Sequence, residues 1–257
     1  LARLLGRERD CADVERNRIF GELITANIYQ LRKGMDGCEL VNYYDESAAP
    51  VKIPLDRTLA PAQNAQKYYK KYNKQKRTLA AVAPQKEEAL SDLDYTNSML
   101  SALARAENML DLAEIEEELR TAGLLPPLKK KAKQAPAVPF RAFEKDGFHI
   151  FAGRNNVQND RLLREAAGGD IWLHTQKYHS AHVLIRTEGK KVPDAVLLAA
   201  AEICAHFSDG QAGNKIPVDW CERRFVKKPP KSKAGFVVYT DFKTILADPN
   251  RHTELEK

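Results

Sequence analysis

The sequence has 257 residues, 43% of them hydrophobic and 30% charged, which excludes a disordered tail and leaves apolar surface for one or two cores. Its 41 Lys and Arg against 35 Asp and Glu give a net charge of +6, an excess that suits RNA or another anionic partner and is shared by many proteins without one. No run approaches the roughly 20 apolar residues of a membrane span, and Cys11, Cys38, Cys204 and Cys221 form no C-x-x-C pair, which argues against a zinc ribbon and for a reducing compartment.

Leu1 to Asp10 already reads as helix interior, so a piece of a longer chain is expected. From Leu1 to about Lys33, Val14, Phe20, Leu23, Ile24, Ile28 and Leu31 recur at three-to-four-residue steps, which predicts one amphipathic helix stopping at Gly34 and Gly37. Cys38 to Leu55 carries β-branched and aromatic residues around Asp45, Glu46, Ser47 and Pro50 and reads as a β-hairpin. A second long helix starts at Pro61 with a heptad register through Tyr72, Leu79, Val82, Ala89, Leu93, Leu100 and Leu103. Pro84 lies inside it, so a kink or break is expected near Val82 to Lys86. Two long helices joined by a hairpin predict an antiparallel coiled coil with a β-hairpin tip near residues 38–57. A third helix follows from about Asn108 to Thr121, with Leu112, Ile115 and Leu119 on one face.

Pro126-Pro127, Lys129 to Lys131, Lys133, Pro136 and Pro139 form a connector that cannot bury a core, which predicts domains over 1–125 and 140–257 with a linker over 126–139. Beyond it the periodicity changes to strands at 140–143, 148–152, 171–174, 182–186, 216–225 and 236–239. The segment from Pro193 to Phe207 is apolar nearly all round and reads as a helix buried against a sheet. The expected fold is therefore α+β: a long antiparallel helical hairpin, then a small α+β domain with a mixed or antiparallel sheet and a buried helix.

Four clusters are candidates for binding. Arg154, Asn155, Asn156, Gln158 and Asn159 stand between a strand and a helix, where amides and guanidinium groups bond phosphates or bases; a helix cap with a fixed turn explains the same residues equally well. Trp172, His174 and His182 invite a metal or general-base reading, yet no Cys or acidic pair completes a ligand set, and histidines held in a strand network or touching a nucleotide are the better expectation. Arg223, Arg224, Lys227 and Lys228, with Lys231 and Lys233 after them, concentrate charge as phosphate contacts do, or as a solvated loop does. Lys67, Lys70, Lys71 and Lys74 alternate with Tyr68, Tyr69 and Tyr72, a mixture that grips RNA or builds a helical seam. No P-loop, dinucleotide fingerprint, nucleophile elbow or paired carboxylates appear, so neither an enzyme nor a cofactor is expected.

GRNNVQNDRL (Gly153 to Leu162), DIWLHTQ (Asp170 to Gln176), AHVLIR (Ala181 to Arg186) and PVDWCERRFVKKP resemble the C-terminal RNA-binding domain of the NFACT family. GELITANIYQLRKG (Gly21 to Gly34) and NAQKYYKKYNKQKR (Asn64 to Arg77) are similar to its middle coiled-coil segment. The chain departs from the family pattern at Leu163, Glu165, Ser180-Ala181 and Ala234. The resemblance implies a cytoplasmic translation quality-control factor that binds stalled large ribosomal subunits, through ribosomal RNA and proteins. It also implies recruitment of alanyl-tRNA for C-terminal alanine tailing, with the tRNA held by an N-terminal region outside this sequence. A fibronectin-binding surface adhesin is the alternative.

Overall fold

The computed structural model describes residues 1–127 and 138–251; the lysine run of the expected linker, Lys129 to Lys133, lies outside them. The fold is α+β, and compactness divides the chain into two units, Leu1–Asp92 and Leu93–Lys257, a division inside a helix and ahead of the connector that composition marks.

In the first unit the single helix expected over residues 1–33 is two helices, α1 (Ala2–Arg9) and α2 (Val14–Ala26), followed by a 3-10 turn (Ile28–Gln30). The break has a local cause. The backbone N–H groups of Cys11, Ala12 and Val14 donate to carbonyls three residues back, which tightens the turn. The Asp10 carbonyl is then taken by the Gln75 side chain at 3.0 Å. Strands β1 (Gly37–Val41) and β2 (Pro50–Pro54) pair antiparallel, Leu40 opposite Val51 and Cys38 opposite Ile53, and α3 runs from Pro61 to Ala104.

Within this unit Glu8 pairs with Lys86, Asn17 with Gln75, and Gly21 lies against the Tyr69 ring. Numbers rise on one side as they fall on the other, so α1 and α2 run antiparallel to the first part of α3. The buried Asn17–Gln75 bond of 2.7 Å fixes that register, since a slip would strand two amides away from water. Phe20, Leu23, Ile24, Leu40, Ile53, Leu55 and Ala65 form the core, with Tyr68 and Tyr69 packed on it.

The helix is unbroken at Pro84, contrary to the expected interruption. Pro84 and Ala80 are both exposed, so the Ala80 carbonyl that loses its helical donor meets water. The heptad seam does not continue through the helix either. Val82 is buried, but Leu93, Leu100 and Leu103 are exposed, and beyond Asp92 the buried face is Tyr95, Met99 and Ala102. That second face serves a different neighbour, in the second unit: Ser101 and Arg105 both bond the Asp209 carboxylate.

In the second unit α4 (Met109–Thr121) is capped by Asn108, whose side chain accepts from Leu110 and Asp111, and it ends at Gly123, with Leu124 N–H bonding the Leu119 carbonyl. Six strands form one antiparallel sheet in the order β10-β7-β5-β6-β4-β3: β3 (Arg141–Lys145), β4 (Phe148–Ala152), β5 (Ile171–Thr175), β6 (Val183–Ile185), β7 (Ile216–Glu222) and β10 (Lys243–Ala247). A ribbon of β8 (Val226–Lys227) and β9 (Val238–Tyr239) stands apart from that sheet.

Alternation along the strands builds two cores. Ile171, Leu173, Val183, Ile185 and Val218 face α6 (Asp194–His206), whose Val196, Ala200, Ile203 and Cys204 are wholly buried. Trp172, Leu184 and Cys221 face the other way, onto Leu162 and Leu163 of α5 (Asn156–Glu165) and onto Val226 of the ribbon.

Candidate nucleic-acid interface

The GRNNVQND motif, read as a surface for phosphates or bases, is turned inward. Asn155 caps α5 by accepting from Gln158 N–H at 2.8 Å and donates to Glu114 at 2.8 Å. Gln158 also donates to Glu114, at 2.6 Å, and Asn156 donates to Glu118 at 3.0 Å and to Ser98 at 2.9 Å. Arg154 bonds Glu107 and Asp111 at 3.0 and 3.2 Å, and Arg141, 7% exposed, bonds Glu107 at 2.8 Å. Asn159 accepts the His182 backbone N–H at 3.0 Å, and its side chain fills the space where a Cβ on Gly153 would stand.

Glu107, Asp111, Glu114 and Glu118 thus form an acidic row on and just before α4, spaced four, three and four residues apart on one helical face, and they satisfy the donors of the motif. Burial pushes the Glu118 carboxyl up, although Asn156 and Tyr95 both donate to it. The cap reading of these amides is the one the geometry supports, and none of Asn155, Asn156, Gln158 or Asn159 is available to an incoming RNA without moving α4 or the sheet.

Trp172 and His182 are also interior. The two rings meet edge to face at 5.2 Å, and His174 stacks on Trp172 at 5.8 Å with the planes 1° apart. Burial lowers the His174 pKa to about 4 and lowers that of His182 well below the ordinary histidine value, so both are neutral at pH 7. Among the described residues no group of three or more His, Cys, Asp or Glu is placed to hold a metal ion. Because an unfolded histidine titrates near 6.5 and His174 in the fold only near 4, the unfolded chain takes up protons first as pH falls. Stability is therefore expected to be full above about pH 6.5 and to decline between there and about 4. Urea midpoints compared at pH 7.5 and pH 5 check this, and His174→Gln should flatten the decline.

The third cluster is partly committed. Arg223 donates to the carbonyls of Leu163 and Val226, Arg224 pairs with Glu222 at 2.8 Å, and Lys228 pairs with Asp160, while Lys227 is exposed. In the fourth cluster Lys67 pairs with Asp56 at 2.9 Å. Tyr68 donates to the Pro54 carbonyl at 2.6 Å and Tyr69 packs on Gly21, so these two tyrosines belong to the seam.

Lys70 and Lys74 remain exposed on α3, and the structure adds two residues to them. Arg7 of α1 and Arg77 of α3 line the same open groove of about 520 Å³, together with Asn73, Thr78 and Ala81. Lys71, though exposed, is not among the residues lining it. Lys70, Lys74 and Arg77 follow one another at four and three residues, a single helical stripe, and no ion pair among the described residues engages them or Arg7. The helical spacing of Arg77 is legible in the sequence. The approach of Arg7 is not, because it depends on how two helices pair.

Residues 2–137 match the family described as NFACT N-terminal and middle domains, and residues 138–240 match the NFACT protein RNA binding domain. The chain belongs to the NFACT family. Among NFACT relatives, the Rqc2 homolog RqcH of Bacillus subtilis is 38% identical over 244 residues, covering 93% of this chain and 42% of its own length. The Rqc2 homolog RqcH of Streptococcus suis is 34% identical over 252 residues, 96% of this chain and 45% of its own length. The chain thus spans under half the length of these relatives. A solved structure of the C-terminal part of the fibronectin/fibrinogen-binding protein from Streptococcus suis superposes with a TM-score of 0.73 at 28% identity, covering 100% of this chain and 91% of that one. No described helix of this NFACT chain is long and apolar enough to cross a membrane.

Proposed function

We propose that this chain is the RNA-contacting part of a cytoplasmic ribosome quality-control factor, and that its first unit grips RNA backbone through the Arg7, Lys70, Lys74 and Arg77 groove. The observation that carries the reading is that four cations converge on one groove and none is neutralised by an ion pair among the described residues, which is how a site for phosphates differs from a solvated face laced with ion pairs. The match of residues 138–240 to an RNA-binding domain and the RqcH relatives support it.

In this reading the α1/α2 and α3 pairing acts as a coiled coil that carries the groove and the β1–β2 hairpin to the large ribosomal subunit. The complete factor recruits alanyl-tRNA for C-terminal alanine tailing through parts beyond this chain, and peptide-bond formation stays with the ribosome, so the factor is not itself an enzyme. Expression of the tagged full-length protein, crosslinking and sequencing of bound RNA tests this: ribosomal RNA enriched over total RNA is the expected result. The name of the Streptococcus suis structural relative favours one second reading, a fibronectin-binding surface protein. Removal of the tagged protein by protease on intact cells, with no ribosomal RNA recovered, would overturn the ribosomal reading and leave the surface one to be tested with fibronectin itself.

A further inference from the structure

The ribbon of β8 and β9 has one face packed and one face bare. Val226 and Tyr239, opposite each other in the register, belong with Val237 to the core around Trp172, whereas Lys227 and Val238, the next pair, point away from it. Phe236 and Val238, at alternate positions, are each 47% exposed. The loop joining the two strands carries Lys231, also exposed, and neither Lys227 nor Lys231 has an ion-pair partner among the described residues.

The loop is held firmly. Gly235 takes φ +77°, donates its N–H to Asp160 at 3.1 Å, and lies so close to Asn156 that a Cβ would fall 2.5 Å from the amide oxygen. Lys228 pairs with the same Asp160, and Ser232 bonds the Pro229 carbonyl through both its N–H and its hydroxyl. Asn156 and Asp160 stand four residues apart on α5, so the inward-facing motif is the seat of the loop.

A strand pair that exposes an aromatic ring and an aliphatic side chain, with one such lysine opposite Val238 in the register and the other in the connecting loop, has the two components of a single-strand site: a flat apolar surface for a base and cations for the flanking phosphates. A protein partner would need more contiguous apolar area than Phe236 and Val238 provide, and duplex RNA offers no free base to stack. We propose that the β8–β9 ribbon binds single-stranded RNA by stacking an unpaired base on Phe236, with Lys227 and Lys231 contacting the flanking phosphates. The inference rests on the RNA reading above and assigns it a second site, in the second unit, with a different specificity from the groove.

The test uses the whole 257-residue chain and fluorescence anisotropy with a labelled oligoadenylate and with a blunt RNA duplex of the same length. Phe236→Ala is expected to weaken oligoadenylate binding about tenfold or more, to leave duplex binding unchanged, and to leave the thermal midpoint in place because the ring is exposed. Phe236→Trp should retain binding, and Lys227→Ala should lower the salt slope for the single strand by about 0.7. Unchanged oligoadenylate binding by Phe236→Ala, or an equal loss on duplex, overturns the stacking site. If the unaltered chain binds neither RNA, the RNA reading itself fails, which a null result for Phe236→Ala alone would not show.

Discussion

Replacing Lys70, Lys74 and Arg77 together with alanine is expected to weaken binding of structured RNA by about ten- to a hundredfold near physiological salt, and to flatten the slope of log affinity against log salt by about 2 to 3, roughly 0.7 to 0.9 for each phosphate that the variant leaves to its counterions. The side chains are exposed and make no ion pair among the described residues, so the loss is not confounded by an orphaned carboxylate. Alanine also raises helix propensity slightly at all three positions, so α3 should persist. Anisotropy titrations at several salt concentrations, with circular dichroism as the control for folding, read both quantities. An unchanged slope and affinity would remove the groove from the interface.

Trp172→Ala is expected to destabilise the second unit by about 3 to 5 kcal/mol, the range for removing a fully buried large aromatic side chain. The residue is 0% exposed, packs against His174, His182 and Tyr239 at ring separations of 5.8, 5.2 and 4.9 Å, and sits opposite Leu184 and Cys221 in the sheet register. That cost is a large part of the roughly 5 to 15 kcal/mol that holds a typical domain folded, so the variant should unfold in mild urea. Trp220→Ala should cost less, because that ring is half-buried, with the Lys243 Nζ 5.5 Å from its centroid. Urea midpoints for the two variants decide the point: equal shifts would mean that the Trp172 cavity collapses on removal.

How far the sequence can be read depends on the range of the interaction. Local signals are sufficient for Asn108 as the α4 cap, Gly123 at its end, Pro61 at the start of α3 and the all-round apolar α6. The break after Arg9 is not legible because it is secured by Gln75, 65 residues away, and the failure of the heptad at Leu93 follows from a change of neighbour that periodicity does not record. β10 is hidden because Lys243 and Thr244 interrupt its apolar alternation on an edge strand, where little burial is required. For the candidate site, residue type is a poor guide to exposure. Asn155, Gln158 and Arg154 look like ligand contacts in isolation, and only the acidic row of α4 shows where their hydrogen bonds go. Arg7, which completes the basic groove, has the opposite fate, ordinary in the sequence and brought beside Lys70, Lys74 and Arg77 by packing.

The acidic row also separates two meanings of the word domain. Similarity to the RNA-binding family begins at residue 138, after α4, yet Arg141, Arg154, Asn155, Asn156 and Gln158 find their carboxylate partners between Glu107 and Glu118. A gene fragment cut where the homology starts would inherit the sockets without the plugs, leaving two guanidinium groups and three amides around the start of α5 without their carboxylate partners. The inherited segment and the self-sufficient one therefore have different first residues, and the shortest piece that carries its own counterparts opens upstream, within the last turns of α3 where Tyr95 and Ser98 still meet Glu118 and Asn156.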